Sequence, residues 1–118
     1  MAKDNDKVPG SVRISDEVVL ICCTNAVLKT GGVSSLAGQK GFRGSQNPSQ
    51  GVKMDRDDDY VSFDISIIVD FNVKIPQVAW DVQVNVKNEV ETITGLKVRE
   101  VNIHVQGVNI ESEEESDD

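Results

Sequence analysis

Four places in the sequence carry residue types that do chemistry, and each fails a spacing test. Asp55, Asp57 and Asp59 alternate like the opening ligands of a calcium loop. Such a loop needs a glycine at its sixth position for the sharp turn and a bidentate glutamate at its twelfth. Those positions hold Tyr60 and Ser66, so the run reads as a solvated turn. Cys22 and Cys23 are adjacent and are the only cysteines. Neighbouring side chains on a helix or strand diverge, so no bridge between them is expected. Two thiols with one distant histidine do not make a tetrahedral metal site either. They read as small apolar side chains in or near a core. His104, the single histidine, sits between Ile103 and Val105. A catalytic base needs a nucleophile in reach and a group to orient it, and the sequence offers no recognisable pair. Gly38 to Gly44 is glycine-rich like a phosphate loop, but it lacks Gly-Lys-Ser/Thr and leads into no helix. The expectation is a chain with no catalytic residue, no metal site and no cofactor. Lys40, Phe42 and Arg43 stand out in that loop as candidates for a partner contact.

Charge and composition narrow the function classes further. The chain has 118 residues, enough for one domain. Its 20 acids against 12 bases give a net charge of −8, but six of those acids lie in the last eight residues, Glu111 to Asp118. Without them 14 acids face 12 bases, a net of −2. The body is nearly neutral, and the end is an acidic run that repels itself and is expected to be disordered. With no basic stripe the chain is a poor binder of nucleic acid, whose affinity rests on neutralising phosphate. Its five aromatic residues are poor stock for stacking bases. No apolar run reaches the roughly 20 residues of a membrane span. Residues 1–9 are polar and read as a flexible lead rather than a secretory signal. The absence of a disulfide framework agrees with a reducing compartment, so a cytoplasmic protein with no direct membrane insertion is expected.

The elements follow from periodicity. Nineteen valines and nine isoleucines against four leucines favour sheet. Val12 and Ile14 alternate with polar residues as a short first strand. Ser15, followed by Asp16 and Glu17, opens a helix that Gly31-Gly32 ends. Val33 to Leu36 is a second strand, and Gly38 to Gln50 a loop. Gly51 to Met54 starts a hairpin that turns at Asp55 to Asp59. Val61, Phe63, Ile65, Ile67, Val69, Phe71 and Val73 then occupy consecutive odd positions, the mark of a long strand with one buried face. Ile75, Val78, Ala79, Val82, Val86, Val90 and Ile93 recur at steps of three and four, a helical stripe opened by Pro76 and closed by Gly95. The last strand runs from about Leu96 to Gln106. The order is β-α-β-β-β-α-β. It predicts an α+β two-layer sandwich, a mixed sheet with both helices on one face, occupying residues 10–110 as a single domain.

Some apolar side chains fall outside the stripes the sheet can bury. On the first helix Val18, Val19, Cys22, Cys23 and Ala26 are expected inward, leaving Ile21 and Leu28 outward with Leu20 nearby. On the second helix Trp80 and Val84, four apart, face away from the stripe. An outer apolar ridge on a small domain marks an interface, and tryptophan is enriched at interface hot spots. Leu20, Ile21, Leu28, Trp80 and Val84 are therefore the candidate interaction residues; the alternative for Trp80 is that it tucks between the two helices.

Gly10-Ser11-Val12-Arg13-Ile14-Ser15-Asp16-Glu17-Val18-Val19 resembles the opening motif of the alkaline shock protein family, the envelope stress response proteins of Gram-positive bacteria. The likeness continues through Gly32-Val33 with Leu36, Gly51-Val52, and Phe63-Asp64-Ile65-Ser66-Ile67. It closes on Ile75-Pro76-Gln77-Val78-Ala79, Val82-Gln83, Val90-Glu91, Thr94-Gly95-Leu96, Val101-Asn102-Ile103-His104-Val105 and Gly107-Val108. The sequence departs from the pattern at Cys22-Cys23-Thr24-Asn25, in the Gly38 to Gln50 loop and in the acidic tail. The resemblance implies a non-enzymatic cytoplasmic protein that self-associates and gathers at the inner face of the membrane. It also implies a membrane-anchored protein partner and a role in envelope homeostasis and stress. The alternative is an RNA-associated adaptor of similar topology. It is disfavoured by the missing GXXG clamp, the missing surface aromatics on strands and the lack of basic charge.

Overall fold

The computed structural model describes residues 10–38 and 51–110. The predicted lead over residues 1–9, most of the glycine-rich loop and the acidic tail lie outside the described residues. The elements are α1 (Asp16–Leu28), β1 (Val33–Leu36), β2 (Val52–Arg56), β3 (Tyr60–Asp70), α2 (Ile75–Thr94) and β4 (Lys97–Asn109).

β3 is the axis of the sheet. Its odd residues Val61, Phe63, Ile65, Ile67 and Val69 are all buried, whereas Asp64 and Asp70 are exposed. β4 runs parallel along one side of β3, from Tyr60↔Lys97 to Asp70↔Asn109. The other side is filled by two short strands end to end. β2 pairs antiparallel with residues 61–65 and β1 with residues 67–69, so together they form one interrupted lane. The interruption is pinned to a single residue: Ala37 N–H donates to the Ser66 carbonyl at 2.9 Å, and Ser66 N–H donates to the Gly51 carbonyl at 2.8 Å. The chain thus leaves the lane after Ala37 and re-enters at Gly51 against the same rung. Only glycine fits at that re-entry. Its φ is +92°, and a Cβ there would lie 2.7 Å from the Ala37 carbonyl oxygen.

Both helices cover the odd face, giving the α+β two-layer sandwich with a mixed sheet. Ser15 caps α1, its side chain accepting from Val18 N–H at 3.3 Å. Pro76 lies in the first turn of α2, where a missing N–H leaves no bond unmade. Gly95 closes that helix with its N–H on the Glu91 carbonyl at 3.0 Å. Val78, Val82, Val86 and Val90 are buried and share the core with Val19, Cys22, Cys23, Ala26 and Val27 of α1.

Three local expectations are corrected. The opening strand at Val12 and Ile14 is not formed, and the order starts at α1. Both sides of β3 are already paired, and the Ile14 carbonyl instead accepts from Arg56 Nη1 at 3.0 Å, beside the Arg56–Asp16 ion pair at 2.8 Å. Phe71 is 52% exposed rather than buried, because β3 ends at Asp70 and the chain turns at Asn72, whose φ is +74°. At the far end of α2, Ile93 is 57% exposed although it continues the buried stripe. The final turn of α2 carries it beyond the cover of the core.

Candidate interaction surface

The two helices run antiparallel, and polar side chains join them. Asn25 Nδ2 and Lys29 Nζ both donate to the Glu89 carboxylate, at 3.0 and 3.1 Å. Asn85 Nδ2 donates to Thr30 Oγ1 at 2.9 Å, and Thr30 Oγ1 in turn donates to the Ala26 carbonyl at 2.8 Å. Two donors on one carboxylate hold Glu89 below the usual carboxylate range, the Asn25 hydrogen bond contributing most and Lys29 next. Glu91 is lowered as well, first by the Val98 N–H and then by Lys87.

These lowered carboxyls set a sign for acid sensitivity. A group with a depressed folded value adds stability above its unfolded value and loses it as pH falls through the folded one. Melting curves taken from pH 7 to pH 3 should therefore show stability falling below about pH 4.5, the unperturbed value of both groups. The Asn25→Ala, Lys29→Ala variant should be less stable at pH 7 and show a shallower loss on acidification. An unchanged acid slope would mean that the Glu89 bridge plays no part.

Along this seam the candidate residues line the outer sides of both helices. Trp80 is 61% exposed on α2, and Val84, half-buried, lies one turn on. Ile21 and Leu28 are 48% and 45% exposed on α1, turned away from α2 by comparison with Asn25 and Lys29. With Asn25 and Lys29 level with Glu89, the antiparallel arrangement puts Ile21 level with Ile93, roughly 20 Å along the axes from Trp80, and Leu28 within about one turn of Val84. The exposed side chains therefore form a string along the helix pair: Ile21 and the exposed Ile93 towards one end, Leu28 and Val84 midway, and Trp80 at the other end. Leu20 does not join them on the surface; it is half-buried and packs against the core. Val18, expected inward, is exposed instead, and Val27 takes the inward place. At 100° per residue Val27 is nearer the Cys23 direction than Val18, a signal the sequence carried.

The remaining chemical residues lie apart from this string. Cys22 and Cys23 are buried free thiols. Burial, with a smaller contribution from the neighbouring Cys22, pushes Cys23 up to about 12, and burial also raises Cys22. His104 points to the open sheet face, opposite the helices, as its position between Ile103 and Val105 predicts. There the register of β3 and β4 places Ser66 beside His104, and Asp64 Oδ1 lies 3.8 Å from His104 Nε2 while accepting from Asn102 Nδ2 at 3.0 Å. This juxtaposition of Asp, Ser and His depends on a parallel pairing that no local pattern announces. It is not a catalytic triad: no hydrogen bond joins Ser66 to His104 among the described residues, and the histidine side chain is half-exposed on an open face. Among the described residues no group of three or more His, Cys, Asp or Glu is arranged to hold a metal ion, and no helix is long and apolar enough to cross a membrane.

Comparison with known proteins adds family and fold. The sequence model of the alkaline shock protein 23 family, described as having a cell envelope-related function, matches residues 4–110. The uncharacterized protein YqhY of Bacillus subtilis is 32% identical over 108 residues, spanning 87% of this chain and 80% of its own length. The uncharacterized protein YloU of the same organism is also 32% identical over 108 residues, spanning 86% and 90%. Among solved structures, a copper form of the MamM CTD superposes with a TM-score of 0.52 at 13% identity, covering 79% of this chain and 98% of that one. A nickel form of the same domain gives 0.50 at 14% identity, covering 77% and 96%. At such identity the likeness is one of fold alone.

Proposed function

We propose that this chain, which belongs to the alkaline shock protein 23 family with its cell envelope-related function, is a non-enzymatic scaffold that self-associates near the inner face of the membrane. The family match over residues 4–110 carries this reading. The surface gives it a physical means. Ile21, Leu28, Trp80 and Val84 are apolar where lysine or glutamate would serve solubility, and they sit on the outer sides of the helices rather than in the core. Leu20 packs against the core rather than joining this surface. A string of apolar side chains about 20 Å long suits contact with a neighbour, whether a further copy or a membrane-anchored partner protein. The acidic tail is repelled by anionic lipid, so proximity to the membrane comes through that protein partner.

The test is the double change Ile21→Glu with Trp80→Glu. Burying one such side chain is worth roughly 1.5–3 kcal/mol, and each 1.4 kcal/mol or so is tenfold in affinity. The variant should keep its far-UV circular dichroism yet weaken association at least tenfold in sedimentation velocity, and it should leave the membrane fraction of cells. A folded variant that assembles and fractionates like the wild type overturns the assignment. An unfolded one places these residues in the core.

A further inference from the structure

α1 is apolar on both of its sides. The inner side supplies Val19, Cys22, Cys23, Ala26 and Val27 to the core. Between Glu17 and Lys29 its exposed residues are Val18, Ile21, Asn25 and Leu28. The eleven residues from Val18 to Leu28 include no charge at all. α2 differs, with Asp81, Lys87, Glu89 and Glu91 among its residues. A helix that is apolar all round is one that is buried all round, so the outer stripe of α1 has the composition of a covered face. Its members are spaced by three, four and three residues, the spacing by which one helix packs along another. The one polar member, Asn25, already directs its amide to Glu89 of α2 at 3.0 Å.

We propose that α1 packs antiparallel on α1 of a second copy, about a two-fold axis level with Cys23. The proposal rests on the self-association reading above and deepens it, because it fixes the occupant and the direction of the contact that Ile21 and Leu28 make. The stripe is complementary to itself about that level. Val18 comes level with Leu28 of the second copy, Ile21 with Asn25, and Glu17 with Lys29, since the members of each pair are equally far from residue 23. An isologous contact requires this matching. Charge selects the direction. α1 carries Asp16 and Glu17 in its first turn, and Lys29 follows its last residue. Antiparallel packing sets each acidic turn level with the other copy's Lys29 and opposes the two helix dipoles. Parallel packing would set acid beside acid. The same acids speak against a lipid surface as the occupant, because helices that lie on membranes flank their apolar face with lysine and arginine. Ile93 of α2, exposed and level with Ile21, borders the contact and widens its apolar area. Trp80 lies beyond it along α2 and stays open to a further neighbour.

The experiment uses the full chain and reads its association by sedimentation velocity. Val18→Lys and Leu28→Glu should each raise the dimer dissociation constant roughly tenfold or more. Both side chains are exposed, so far-UV circular dichroism should stay that of the wild type. The two changes together should recover most of the loss, because antiparallel packing puts the new ammonium of one copy beside the new carboxylate of the other. Within one helix they lie about 15 Å apart and cannot offset each other. Trp80→Glu alone should leave this dimer intact. A cross-link keeps the test independent of these variants. Ile21→Cys sets two thiols about one helical turn apart in height, on helices about 8–10 Å apart. A bifunctional maleimide about 10 Å long should join them and should not join two copies of Lys97→Cys. Cys22 and Cys23, buried and with raised thiol values, are a silent background. Single variants that assemble like the wild type, without an Ile21→Cys cross-link, overturn the α1 contact and leave the self-association reading standing. Loss in both single variants with no recovery in the double variant overturns the antiparallel direction. Should a variant unfold, the cross-link decides. A chain monomeric at every concentration overturns both readings, and a monomer that floats with phosphatidylglycerol vesicles assigns the stripe to lipid instead.

Discussion

Replacing Phe63 with alanine is expected to remove roughly 3–5 kcal/mol of folding stability. Phe63 is the largest of the fully buried side chains among the described residues, 1% exposed at the middle of β3. It lies between Met54 of β2 and Val101 of β4 in the register, so it closes the core across all three lanes of the sheet. Both neighbouring lanes are fixed by main-chain hydrogen bonds and cannot collapse far into the space a phenyl ring leaves. Domains of this size are stable by only about 5–15 kcal/mol, so the variant should sit near the edge of folding. Thermal and urea denaturation followed by circular dichroism would read the loss. Phe71→Ala is the matched control. The same residue type lies on the same alternation but beyond the last paired residue, half in solvent, and its loss should stay under about 1 kcal/mol. Equal losses at the two positions would mean that the core does not end where β3 ends.

That contrast also marks how far the sequence could be read. The alternation from Val61 to Val69 and the stripe from Val78 to Val90 are local signals, each set by the period of a single element, and the buried residues follow them closely. Phe71 and Ile93 continue the same patterns and are exposed, because periodicity gives a side chain's direction and not the extent of what covers it. The short alternation at Val12 and Ile14 is equally strand-like in isolation. It forms no strand because the sides of β3 are filled by segments remote in sequence, a fact no local window contains. The collinear lane of β1 and β2 is of the same kind: two short strands read separately, joined only through their common partner. The outward positions of Ile21, Leu28 and Trp80 were legible from helical geometry. Their distances from one another were not, since these depend on how far one helix is shifted along the other.

That helix placement is itself fixed by one close approach, and Gly32 is where it can be tested. The residue joins α1 to β1 with φ +97°, a conformation that side chains rarely adopt. Its carbonyl accepts from Asp70 N–H at 2.9 Å, tying the turn to the end of β3. A Cβ at this position would lie 2.6 Å from Cγ2 of Val78, a buried residue near the start of α2. Gly32→Ala should therefore cost about 1–3 kcal/mol for the backbone and about 1–3 kcal/mol more for overpacking. The adjacent Gly31→Ala is the control, since a Cβ there meets nothing within 4 Å and the φ is not in the left-handed region. It should be neutral or slightly stabilising. Adding Val78→Ala to Gly32→Ala separates the two costs: relief of the clash should recover part of the loss, while the strain of a positive φ remains. A double-mutant cycle on melting curves would measure that coupling. Gly32→Ala within about 0.5 kcal/mol of the wild type would mean that α2 does not rest on this turn. The position of α2 along α1 would then rest on the Asn25–Glu89–Lys29 seam, the Thr30–Asn85 hydrogen bond and the shared core.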